Sequence, residues 1–265
     1  MQINKSNSGF CLNFGLAKFS LQLLVAAAIY LSFQASAQSA TDWVRETAWR
    51  SLFNGRNLDG WTVKCKPEDK TKKIWSVSNG EIVADSMAYD DHDYVWLVSN
   101  RQYTNFILRL RFKVDRDCKG NSGVQIWSRY DETNYYMHGP QVDINPPQPW
   151  RTGMIWDETK GNQRWISPNL PAGKWVDETM VKPGFKFYFS DEGEGWNDLG
   201  IVARNNKIRV VLNGVVVNEF DGKGILDDEI HRAQKVGAYG YIALQVHTKD
   251  KVKIRFKDIK IVEAQ

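Results

Sequence analysis

Histidine and cysteine are scarce in this chain: its 265 residues include four of the first and three of the second. No Cys/His spacing matches a zinc site, and no glycine-rich stretch could cradle a phosphate. Charge of one sign is lacking too. There are 35 Lys and Arg against 31 Asp and Glu, a net of +4, which gives no electrostatic case for nucleic acid as a partner. The apolar run from Leu21 to Phe33 is 13 residues long, short of the roughly 20 that a bilayer span needs. No amphipathic helical pattern extends beyond about three turns, so the expected fold class is all-β.

The N-terminal run still carries information. Lys5 and Lys18 are the only charges before Asp42, and Ala35-Ser36-Ala37 offers the small residues of a signal-peptidase site. Residues 1–37 are expected to be a signal peptide, with a membrane anchor as the competing reading and a periplasmic or secreted location as the consequence. Cys11 precedes the apolar run, whereas a lipoprotein cysteine follows it. Taking 37 residues from 265 leaves 228, and the loss of two lysines lowers the net charge from +4 to +2. That length suits one sandwich domain, 38–265, with no membrane span after cleavage. Cys65 and Cys118 would remain in a compartment where disulfides persist, and the sequence leaves their bridging open.

Tryptophan is what the chain has in excess, eleven in all. Some must be core, and others can stack on sugar rings, whose C–H faces pack well on indole. Asn79-Gly80 between Ile74–Val77 and Glu81–Ala84 predicts a hairpin. Phe106 to Val114 alternates apolar residues with Arg109 and Arg111, which read as a solvated strand face. Residues 145–197 lose regularity, with six prolines and five tryptophans among them, and read as functional loops with an irregular edge strand at Phe185–Phe189. Three strands follow as a meander through Asn205-Asn206 and Asn213-Gly214, and a change of parity near Asp258 predicts a bulge.

The densest chemistry lies between Gly120 and Asn145. Gln141, Asp143 and Asn145 alternate and so share one strand face, while Val142 and Ile144 pack on the other. In the preceding strand Gly123, Gln125, Trp127 and Arg129 share a side. Near the C-terminus Gln245 and His247 fall on one face, and His247 is the candidate base. Asp143 is the candidate acid, with Gln141, Gln245, Asn121, Trp127, Arg129, His138, Trp156 and Glu158 as candidate sugar contacts. A retaining glycosidase needs two carboxyl groups about 5–5.5 Å apart. Gln141 cannot serve as one, so that mechanism would need Glu158 beside Asp143. His138, Asp143 and His247 are the candidate ligands if a divalent cation is used. A lectin-like module binding glycan without turnover is the alternative from a different class.

Ser51-Leu52-Phe53-Asn54-Gly55 with Leu58-Asp59-Gly60-Trp61, Gly120-Asn121-Ser122-Gly123, and Gly139-Pro140-Gln141-Val142-Asp143-Ile144 form an ordered series of motifs. Trp196-Asn197, Leu212-Asn213-Gly214, Ile242 to His247 and Phe256-Lys257-Asp258-Ile259 continue it. In this order the motifs resemble the 3-keto-disaccharide hydrolase family from Trp49 to Val262. The resemblance implies a concanavalin A-like jelly-roll sandwich of two antiparallel sheets, export, and action on glycosides oxidised at C3. It also implies an oligosaccharide or glycoside substrate and a sugar oxidoreductase that supplies the ketone. The family's second strand more commonly reads Glu-x-Gln where this chain has Gln141-Val142-Asp143. A C3 ketone acidifies the C2 proton, so a single base such as His247 suffices to start elimination. Amide donors from Gln141 and Gln245, or a cation at His138 or Asp143, would then stabilise the enolate.

Overall fold

The computed structural model describes residues 49–181 and 184–263; the signal-peptide expectation lies outside them. Among the described residues sixteen strands follow in chain order: β1 (Arg50–Ser51), β2 (Trp61–Lys64), β3 (Trp75–Ser78), β4 (Glu81–Asp85), β5 (Val95–Tyr103), β6 (Phe106–Val114), β7 (Ser122–Asp131) and β8 (Tyr136–His138) come first. They are followed by β9 (Pro140–Ile144), β10 (Ile155–Asp157), β11 (Arg164–Ser167), β12 (Asn197–Arg204), β13 (Lys207–Leu212), β14 (Val215–Asp221), β15 (Gly240–Val246) and β16 (Lys253–Glu263). Glu229–Gln234 is the one α-helix among the described residues.

The strands form two antiparallel sheets. The first runs β14-β13-β12-β6-β16-β4-β3, with β1 beside β16; the second runs β11-β10-β9-β7-β15-β5-β2, with β8 beside β7. Neighbours that are distant in sequence, such as β6 and β16, make this a jelly-roll sandwich of the concanavalin A-like kind. The inward faces interdigitate as one apolar core that includes Phe112, Ile126, Val142, Leu244 and Phe256, all fully buried. At the predicted hairpin Asn79 and Gly80 both have positive φ, 52° and 77°, as a two-residue turn matched to strand twist requires. The parity change near Asp258 is a register shift between Lys257 and Lys260.

Three expectations are corrected. Phe185–Phe189 is not a strand; Phe185, Phe187 and Phe189 instead pack their rings on the core from an irregular segment. The stretch read as loops contributes β10 and β11, which widen the second sheet beyond β9. Trp127 is not a sugar contact. It takes a left-handed backbone, φ 50°, where the β15–β7 register slips between Tyr241 and Ala243. That bulge turns its ring into the core, edge-on to Phe106 at 6.3 Å, with Nε1 donating to the Thr104 carbonyl at 2.5 Å. Cys65 and Cys118 are both buried and unbridged, and Arg109 and Arg111 lie on the outer face over Trp49 and Trp196.

Because Phe112 is fully buried against Phe256 and Phe187 neighbours, Phe112→Ala is expected to lower unfolding free energy by about 3–5 kcal/mol. Urea denaturation of wild type and variant measures this.

Candidate functional site

On the face of the second sheet turned away from the core, the register lines up side chains from six strands. Trp96, Gln245, Gly123 and Asp143 stand side by side in one row. Val98, Ala243, Gln125, Gln141, Trp156 and Trp165 form the next. The first residues beyond the paired positions Val95, Val246 and Ser122 put Tyr94, His247 and Asn121 at the opposite end of the same face. Trp96, Val98 and Ala243 join Tyr136 and Met137 in one apolar cluster. Trp165 joins Met154 and Val176 in another, against which Trp150 and Trp156 pack. A polar strip formed by Gln245 on β15, Gln125 on β7, and Gln141 and Asp143 on β9 therefore runs between two apolar walls.

The strip is poor in partners. Gln125 is fully buried with neither amide atom hydrogen-bonded, and Asn121 Oδ1, Gln141 Oε1 and Gln245 Oε1 are buried and unpartnered. A buried amide left without a partner costs about 1–3 kcal/mol, so such a cluster marks a surface that waits for a ligand. Four unpartnered amide oxygens, those of Asn121, Gln125, Gln141 and Gln245, accept hydrogen bonds, which suits a molecule rich in hydroxyl donors. Gly123 makes room for this: a Cβ there would lie 2.5 Å from Gln141 Cδ, so Gln141 can fold its amide over the backbone of β7.

The ionisable groups are held firmly. His247, half-buried, has Nε2 at 3.1 Å from Tyr94 Oη and Nδ1 at 3.3 Å from Asp250 Oδ2. Burial disfavours its cation, but Asp250, with Glu158 and Asp143 behind it, outweighs burial and raises its pKa. Asp250 also accepts from the Asn121 backbone N–H at 2.8 Å; burial raises its pKa, and His247 and that N–H bring it below its ordinary value. Asp143 uses both oxygens, accepting from Asn121 Nδ2 and Arg151 Nε, each at 3.1 Å. Glu158 accepts from Gln245 Nε2 at 3.0 Å and Tyr136 Oη at 2.5 Å. Burial raises the pKa of both Asp143 and Glu158 against those donors.

The structure brings His247, Asn121, Asp143, Gln141, Gln245, Glu158 and Trp156 to this face. Trp127 faces the core, and two further candidates do not join this face. Arg129 lies past the bulge, bonded to Gln102 at 3.0 Å and Tyr239 at 3.3 Å. His138 accepts from the Lys160 N–H at 3.2 Å and has Nε2 at 3.7 Å from Asp131; burial lowers its pKa. The proposed cation ligands His138, Asp143 and His247 are thus engaged separately, and no group of three His, Cys, Asp or Glu among the described residues could hold a metal ion. The donor set does not fit a resident cation, and no step is assigned to one. Tyr94, Trp96, Tyr136, Arg151 and Asp250 are not among the residues singled out from the sequence, and Gln125 is placed there on the polar side of its strand without a role. The alternation of Tyr94, Trp96 and Val98 was the available signal for the first two. A cavity of about 270 Å³ opens nearby, lined by Lys66, Glu68, Asp69, Asp91, His92, Asp93, Thr248 and Lys249. Its charges pair with one another, Lys66 with Asp93 for one, and no lining side chain is buried without a partner, so the amide strip is the better candidate.

Residues 48–262 match the 3-keto-alpha-glucoside-1,2-lyase-like domain. The chain belongs to this family. Two solved candidate glycosyl hydrolases from Parabacteroides distasonis are similar to it: one at 20% identity over 84% of this chain and 98% of its own, TM-score 0.49, the other at 25% over 82% and 99%, TM-score 0.47. A carbohydrate-binding module from Bacillus subtilis is similar at 13% identity over 77% and 96%, TM-score 0.44. No curated protein matches. No helix among the described residues is long and apolar enough to cross a membrane.

Gly123→Ala is expected to displace the Gln141 amide, weakening glycan binding or turnover at least tenfold while overpacking costs about 1–3 kcal/mol of stability. Titration calorimetry and urea denaturation, run on the same preparation, separate the two effects.

Proposed function

We propose that this protein is an exported enzyme that cleaves glycosides oxidised at C3 by eliminating the C1 substituent. The observation that carries the reading is His247, held between Asp250 and Tyr94 at the end of a strip of unpartnered buried amides. With Asp250 at Nδ1 favouring the proton there, Nε2 is the basic nitrogen. It accepts the C2 proton that the ketone has acidified, the electron pair becomes the C1=C2 bond, and the C1–O bond breaks. Glu158, whose burial raises its pKa, gives its proton to the departing oxygen. Addition of water across the double bond would complete net hydrolysis.

Negative charge on the C3 oxygen calls for a donor. Gln245 Nε2 is committed to Glu158, whereas Gln125 Nε2 is buried and free, so Gln125 takes the enolate-stabilising role that the sequence suggested for Gln141 and Gln245. Asp143 positions Asn121 and Arg151; with both oxygens bound it is a poor nucleophile, which disfavours the two-carboxylate glycosidase. The ketone must come from a preceding oxidation of the sugar, the work of an oxidoreductase acting on the same substrate. Export rests on the N-terminal pattern ending at Ala37, and the mature protein would then begin at Gln38, which N-terminal sequencing of the secreted form tests.

Incubation with an aryl 3-keto-glucoside and with its unoxidised parent should release the aryl group from the first alone. His247→Ala should reduce that release by at least 10²-fold with an unchanged melting temperature, on the usual worth of a general base. Full activity in that variant would overturn the assignment, and binding without release from the wild type would favour a lectin.

The pH profile tests the role of Asp250. The rate should rise with pH as the His247 cation loses its proton, and removing the carboxylate that raises this pKa should move the rising limb of kcat/KM to lower pH in Asp250→Asn while the maximum falls. Glu158→Gln should slow alkyl 3-keto-glycosides by about 10²-fold and aryl ones less, because a good leaving group has little need of the proton.

A further inference from the structure

Trp175 is the most exposed large apolar side chain among the described residues, 58% accessible. An isolated exposed tryptophan would be unremarkable in a surface loop, but this one is fixed in place. Its ring centroid lies 5.6 Å from Trp156 and 5.5 Å from Trp165, tilted by 53° and 81°. The Arg151 guanidinium sits 5.2 Å from the rings of both Trp165 and Trp175. Arg151 is itself buried and anchored, with Nε donating to Asp143 and Nη1 to Gln148, each at 3.1 Å. A rigid indole loses little freedom when a ligand stacks on it.

The platform continues the amide strip. Trp156 is the cross-strand partner of Gln141, and Gln141 of Gln125. The unpartnered atoms Gln141 Oε1, Gln125 Oε1 and Gln125 Nε2 therefore lie between His247 and the tryptophans, and the buried Trp165 Nε1 also lacks an acceptor. From the β15 strand that leads to His247 to Trp156 on β10, the sheet spans three strand spacings, about 14 Å. That span exceeds one pyranose ring and fits a chain of sugars lying across the strands.

We propose that Trp175, braced by Trp156, Trp165 and Arg151, is a stacking platform for a distal sugar ring, so that the site takes oligosaccharides rather than single glycosides. The inference rests on the sugar-binding part of the proposed function and is independent of the elimination chemistry. The distal ring lays its C–H face on the indole while its neighbour donates hydroxyls to Gln141 and Gln125.

The test compares wild type, Trp175→Ala and Trp175→Phe on a methyl 3-keto-glucoside and on 3-keto-glucotrioses with α and β linkages. Trp175→Ala should raise KM for a trisaccharide about tenfold, the equivalent of roughly 1.4 kcal/mol of lost stacking, with kcat and the methyl glycoside unaffected. Trp175→Phe should recover most of the loss. Equal changes on both substrates, or none, would overturn the platform. If the wild type turns over neither substrate, the elimination reading fails, and calorimetry with the unoxidised trioses and methyl glucoside decides the platform: a triose affinity that falls about tenfold in Trp175→Ala supports it, and no triose binding or an unchanged affinity overturns it.

Discussion

Everything at the site depends on the pairing register of β9, β7 and β15. Val142, Val124 and Leu244 are locked into the core from one face of these strands, which forces Asp143, Gly123 and Gln245 onto the other. A slip of one residue would bury the amides between the sheets and expose the valines, at a cost no local contact could recover. The apolar alternation of three strands therefore places the polar groups, and the polar groups need no interactions of their own to find their positions.

The same frame explains how two carboxyl groups survive on a buried face. An ion taken out of water is tolerated only where donors replace its hydration. Arg151 and Asn121 do so for Asp143, whereas burial favours the neutral acid at Glu158, which Tyr136 and Gln245 hold in place by hydrogen bonds. Asn121 joins the two ends of the site, since its side chain serves Asp143 while its backbone N–H serves Asp250. His247 is thereby tied to the turn that opens β7 as well as to its own strand end.

Much of this was legible in the sequence, because period-two alternation is a direct consequence of strand geometry. The shared face of Gln141 and Asp143, the pairing of Gln245 with His247 on one side, the Asn79-Gly80 hairpin and the Asp258 bulge all follow from it. Alternation fails where the backbone leaves the extended region. Trp127 sits at such a point, and a tryptophan at positive φ is not foreseeable from propensity. Arg129 follows it out of the site for the same reason. Asp250 and Arg151 were missed because they reach the face from turns, where no period applies. β10 and β11 are three and four residues long, too short among prolines to rise above the surrounding irregularity.

Seen as a problem in folding alone, the pair Gln125 and Gln141 is badly chosen. Both lie on a sheet face flanked by tryptophan, valine and methionine, and a leucine or methionine at position 125 would fill the space with no polar group left unsatisfied. The chain forgoes that stability on β7 and β9, in the interior of the second sheet. Conformational order and chemical readiness are thus drawn from the same few strands, and gains in one there come as losses in the other.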